Sequence, residues 1–175
     1  MPVGNLSLPL GSVLTGQPEV IKSSVLAAAA ASVSFQFPSV YRAVLVEGWT
    51  KDTVSAFFYI RVNNDTGANY TVQQIEVGST SVTGSRLTGQ TKWSGPGVTG
   101  IAGQLQFSLF IAKTTAAAKA QMTMIASIGL AASIGMDITG GEWGNTADLL
   151  SRVDIFPSGG NFDVNTSITL WGFRL

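Results

Sequence analysis

The 175 residues are 45% apolar and only 11% charged, with ten basic side chains balanced by ten acidic ones. That length suits one core-forming domain, the balance gives no bulk field for nucleic acid or anionic membrane, and the charge shell is far thinner than the roughly 25% of ordinary soluble proteins. Cysteine and histidine are absent, which excludes disulfides, thiolate and Ser-His-Asp catalysis, haem and iron–sulfur ligation, and nearly all zinc sites.

Residues 1–18 are rich in Gly, Pro and Leu and show no alternation, so they read as an extended N-terminal arm laid over the domain or a neighbour. They lack the basic start and continuous apolar run of a signal peptide. Residues 19–175 read as a single β-sandwich domain.

From there the period is two almost everywhere. Val33, Phe35 and Phe37 alternate with Ser32, Ser34 and Gln36; Leu105, Phe107, Leu109 and Ile111 alternate with Gln104, Gln106, Ser108 and Phe110. Met122, Met124, Ala126 and Ile128 alternate with Gln121, Thr123, Ile125 and Ser127, and Ile134, Met136 and Ile138 lie opposite Ser133, Gly135, Asp137 and Thr139. Successive side chains of a strand point to opposite faces, so each run describes a half-buried strand. Strands are expected at 20–27, 32–37, 40–48, 54–63, 68–77, 85–93, 104–112, 120–128, 133–139, 151–156 and 167–173. The turn-rich text between them includes Gly95-Pro96-Gly97, Gly140-Gly141 and Ser158-Gly159-Gly160-Asn161.

Between Phe57 and Val77, a β-branched and aromatic run stops at Asn63-Asn64-Asp65-Thr66-Gly67 and a second resumes at Asn69. Asn and Asp tolerate positive φ and Gly reverses the chain without a Cβ clash, so the segment reads as a β-hairpin. The Ala27–Ala31 and Ala116–Ala118 runs carry no sustained 3.6-residue stripe and read as strand edges or connections. The uncharged stretch from Ala120 to Met136 is shorter than the roughly 20 apolar residues of a spanning helix, and no membrane association is expected. Short strands at this spacing, with almost no helix, predict an all-β fold: a two-sheet antiparallel β-sandwich, jelly-roll-like.

Two strands carry apolar groups on both faces. Phe57 and Tyr59 lie opposite Val54, Ala56, Phe58 and Ile60, while Trp171 and Phe173 lie opposite Ile168 and Leu170. A monomeric sandwich wets its outer faces, so these four aromatics are candidate subunit contacts, coverage by long loops being the alternative. Trp49, Trp93 and Trp143 adjoin Gly- and Asn-containing loops, where they either stack on glycan rings or cover the ends of the core.

Catalysis would require a carboxylate pair, such as Glu47 and Glu142, at about 5–10 Å across a glycosidic bond. Ten scattered acids read more simply as solubilising, and no enzyme activity is expected. Asn63 to Gly67 carries one carboxylate and no downstream bidentate glutamate, so it reads as a turn and not a calcium loop. No metal or cofactor is called for.

Three passages resemble a widespread group of small structural proteins from tailed bacteriophage particles: SVSFQFPSVYRAVLVEG from Ser32, RVNNDTGANY from Arg61, and a closing passage. The last comprises Gly141 to Thr146, Val153 to Phe162 and Ser167 to Phe173. Departures from the pattern are the extra glycine at Gly159-Gly160, Glu142 in place of an apolar residue, and Trp171 in place of tyrosine. The resemblance implies a jelly-roll-like sandwich located in the virion and assembled in the host cytoplasm. The chain would be displayed as capsid decoration or a head fibre, as a homotrimer or similar cluster seated on other virion proteins such as the major capsid or tail protein. The alternative implied by the same group is a receptor-binding tail-fibre protein contacting host surface glycan.

Overall fold

The computed structural model describes residues 17–54, 56–78, 81–98, 104–129 and 134–174. The expected arm therefore lies outside the described residues except for Gln17 and Pro18. Twelve strands are found among the described residues, and no helix. They are β1 (Glu19–Val25), β2 (Val33–Gln36), β3 (Ala43–Lys51), β4 (Ala56–Val62), β5 (Tyr70–Gly78), β6 (Ser81–Gln90), β7 (Trp93–Val98), β8 (Gln104–Ala112), β9 (Ala120–Gly129), β10 (Ile134–Trp143), β11 (Arg152–Pro157) and β12 (Ser167–Phe173).

They form two antiparallel sheets, one in the order β1-β12-β3-β8-β9-β10-β5-β6 and one in the order β2-β11-β4-β7. The chain crosses between sheets at every step from β1 to β5. It crosses again to β7 and β8, and finally to β11 and β12. With β1-β12-β3-β8 set against β2-β11-β4-β7, this is the wrapping of a jelly roll. The hairpins β5–β6 and β9–β10 are additions that widen only the larger sheet.

Alternation fills the space between the sheets. Val44, Val46, Leu105, Leu109, Met122 and Leu170 from one side meet Phe35, Phe58, Ile60, Val153 and Ile155 from the other. Phe58 and Phe107 meet across the layers with ring centroids 4.6 Å apart.

Three expectations are corrected. The segment 57–77 is not a hairpin, because β4 belongs to the small sheet and β5 to the large one. The local reversal is nonetheless as read: Asn63 and Asn64 have φ of 53° and 55°, and the Asp65 N–H donates to the Val62 carbonyl at 3.0 Å. After that turn the Tyr70 hydroxyl accepts from the Val62 N–H at 2.9 Å, so a side chain takes a bond that a hairpin partner would make. The turn is an arch between layers.

The single strand expected at 85–93 is two, β6 and β7, split at Thr91-Lys92 and lying in different sheets. Neither Gly95-Pro96-Gly97 nor Gly140-Gly141 is a turn between strands, since β7 runs through the first and β10 through the second. A Cβ at Gly141 would collide with the Thr71 carbonyl and the indole Nε1 of Trp93, so glycine here lets the buried Trp93 ring lie against the strand.

Candidate functional site

The phase of β10 decides what the protein shows to its surroundings. Trp143 is fully buried at the end of this strand. Its indole N–H donates to Asp65 Oδ2 at 2.6 Å, and the buried Lys113 places Nζ 4.9 Å from its ring centre. Counting back by two from this anchor, Gly141, Thr139, Asp137 and Gly135 must face inward. Thr139 and Asp137 are accordingly fully buried.

Asp137 accepts hydrogen bonds from Gln74 Nε2 and Thr139 Oγ1. Burial pushes its pKa up, and the nearby Glu76 adds to this against the two hydrogen bonds. A buried carboxyl group so bonded is tolerated where an unpaired one is not.

The cost of that phase appears on the other face. Met136 and Ile138 point outward, 42% and 39% exposed. Ile138 pairs with Ile75 on one side and Ile125 on the other, and these are 46% and 55% exposed. Three isoleucines thus lie side by side across β5, β10 and β9 on the outer face of the large sheet. Pattern reading missed this stripe because it takes the apolar half of an alternating strand to be the inner half.

The candidate contact aromatics do not share a surface. Phe57 and Tyr59 lie on the outer face of the small sheet, stacked at 6.5 Å, with Phe156 5.8 Å from Tyr59. Cations cover part of this ladder: Lys92 Nζ lies 4.1 Å from the Tyr59 ring centre and the Arg61 guanidinium 4.9 Å from that of Phe156. Trp171 and Phe173 lie on the opposite side of the sandwich. Phe173 packs edge-on against Phe110 at 5.8 Å, and Trp171 pairs with Leu45 and Val20.

Of the candidate glycan contacts, Trp93 and Trp143 are fully buried and present no ring to a ligand. Each fills the interior beside the arch instead of capping a loop. Trp49 is half-buried on the outer face of the large sheet, in register with Ser167 and Gln106.

Glu47 and Glu142 share that face but stand three strands and four residues apart in register, so they lie roughly 20 Å from each other. That is too far for the pairing a glycosidase needs. Glu142 instead forms an ion pair with Lys119 at 2.6 Å. Lys113 donates to the carbonyls of Ala118 and Asn145, and burial lowers its pKa.

In the 63–67 turn, Asp65 Oδ1 accepts from the Gly67 N–H at 2.7 Å. Its Oδ2 accepts from Asn69 Nδ2 at 2.8 Å as well as from Trp143. Both oxygens face N–H donors, an arrangement that serves the arch and not a cation.

Comparison with family models, with curated proteins and with solved structures returns no match.

Proposed function

We propose that this chain is a structural protein of a tailed bacteriophage particle, displayed on the virion surface as capsid decoration or a head fibre. In this reading it self-associates, with a trimer as the expected state, and acts by burying apolar surface against copies of itself or against the particle.

The observation that carries the reading is the Ile75–Ile138–Ile125 stripe. It is exposed on a sheet whose inner alternation is already satisfied. Contiguous outward apolar rows are a liability on a lone subunit and an asset in an assembly. At about 25 cal/mol per Å2, some ~1,000 Å2 of apolar contact is worth tens of kcal/mol gross. Association and ordering offset most of that, and repetition over a lattice restores the advantage. The phage-like passages quoted above supply the setting.

The test is sedimentation of the purified chain together with binding to capsids of its own phage. The expected result is a discrete oligomer and a binding stoichiometry that follows the lattice, both lost in Ile138→Asp with unchanged circular dichroism. A wild-type chain that stays monomeric at high concentration and ignores capsids would overturn the reading.

A further inference from the structure

The isoleucine stripe occupies one half of the large sheet's outer face. Next to it, β12, β3 and β8 form a groove of about 630 Å3 whose border on β9 includes Ser127 and Ile125 of the stripe. Trp49 and Trp171 stand at its two ends: Trp49 pairs with Ser167, and Trp171 lies four residues further along β12. At about 3.3 Å per residue the two tryptophan positions are some 13 Å apart along the sheet.

Between them lies a polar floor. Glu47 pairs with Thr169 on one side and Ser108 on the other, and the Ser108 hydroxyl donates to Glu47 Oε1 at 3.4 Å. Gln106 lines the groove beside Trp49, and among the described residues no lysine or arginine lines it.

We propose that this groove binds a neutral oligosaccharide, with pyranose rings stacked on Trp49 and Trp171 and hydroxyls bonded to Glu47, Gln106 and Ser108. A pyranose has a C–H face that suits an indole and a rim of hydroxyls that suits carboxylate, amide and hydroxyl groups. The distance between the tryptophans fits a short chain of sugars better than one.

Other ligand classes fit less well. An anion would meet Glu47 with no cation to offset it. A wholly apolar partner would desolvate Glu47 without replacing its hydrogen bonds. A peptide adding as a strand needs a free edge, and β12, β3 and β8 are each paired on both sides. The proposal stands on the groove alone and does not depend on whether the chain belongs to a head or a tail.

The experiment is a titration of the full chain with neutral gluco-, galacto- and N-acetylglucosamine oligosaccharides, alongside sialylated ones, read by tryptophan fluorescence and a glycan array. Trp93 and Trp143 are sealed in the core, so a ligand-dependent change in emission reports on Trp49 and Trp171. Expected is saturable binding of at least one neutral series, weakened about tenfold or more by Trp49→Ala or Glu47→Gln. Ser108→Trp, which fills the groove and leaves both indoles in place, should abolish it. Ile138→Asp should leave it intact, so this proposal and the assembly reading fail separately. Absence of binding at millimolar sugar, binding of acidic glycans alone, or binding that survives both Trp49→Ala and Ser108→Trp would overturn it.

Discussion

The indole N–H of Trp143 and the carboxylate of Asp65, 78 residues apart in the chain, meet at 2.6 Å. This bond joins the arch between layers to the strand whose phase controls the outer surface. Burial alone would raise the Asp65 pKa, but the bonds from Trp143, Asn69 and Gly67 more than offset it and the net shift is downward. A carboxylate held below its unfolded pKa contributes stability above that value and loses it as the pH falls through the folded one. Asp65→Asn turns an amide N–H toward donors, and a loss of about 1–3 kcal/mol is expected in urea unfolding at neutral pH. The loss should shrink in acid, where wild type forfeits the same bonds.

Asp52 gives the opposite pH dependence. It is buried at the end of β3 beside Thr50, and Asp52 Oδ1 and the Thr50 hydroxyl find no hydrogen-bond partner among the described residues. Burial pushes its pKa from 3.8 to about 6. Below the lower value both folded and unfolded chains carry the proton; between the two the unfolded chain releases it first, so this residue's contribution falls as pH rises and stays low above the window. Asp52→Asn should therefore stabilise the chain at neutral pH by up to about 3 kcal/mol. The gain should vanish near pH ~3.5, below both values. Urea midpoints at the two pH values check it, and an equal effect at both would contradict the burial account.

The phase of β10 is open to a paired substitution. Ile138→Thr should cost under ~1 kcal/mol in the isolated subunit, because the side chain faces outward. Ile155→Ala, in the fully buried row of β11, should cost about 2–5 kcal/mol. Similar costs at the two sites would mean that Ile138 faces the core after all.

Adjacent glycines make a sharper test of the same strand. Gly141→Ala drives a methyl group into the Thr71 carbonyl and the Trp93 ring, whereas at Gly140 the nearest atom to an added Cβ is the Met122 carbonyl oxygen, 4.0 Å away. The first should destabilise by about 3 kcal/mol or more. The second should be neutral within about 0.5 kcal/mol. Thermal unfolding of the two variants side by side is sufficient.

Alternation at Val33–Phe37, Leu105–Ile111 and Met122–Ile128 was legible because each run has one apolar face and that face is the buried one. In β10 the rule inverted: Trp143, five residues beyond Ile138, outweighs Met136 and Ile138 in deciding which side turns inward. The turn at Asn63-Asn64 was legible because left-handed backbone is a local property. That it joins two layers was not, since the bonds from Tyr70 to Val62 and from Asp65 to Trp143 are made at a distance. Of the groove, Trp49, Glu47 and Trp171 were singled out for separate reasons, and only register places them together around Ser108.

The unequal widths of the two sheets have a consequence for how the chain tolerates change. Along β6, from Ser81 to Gln90, nearly every residue is exposed whichever way it points, so no position there is constrained by an interior. A saturation library scored for folding should be nearly flat across this strand except at Gly89, whose φ of 64° suits glycine, and deeply furrowed at Trp93, where the next strand begins.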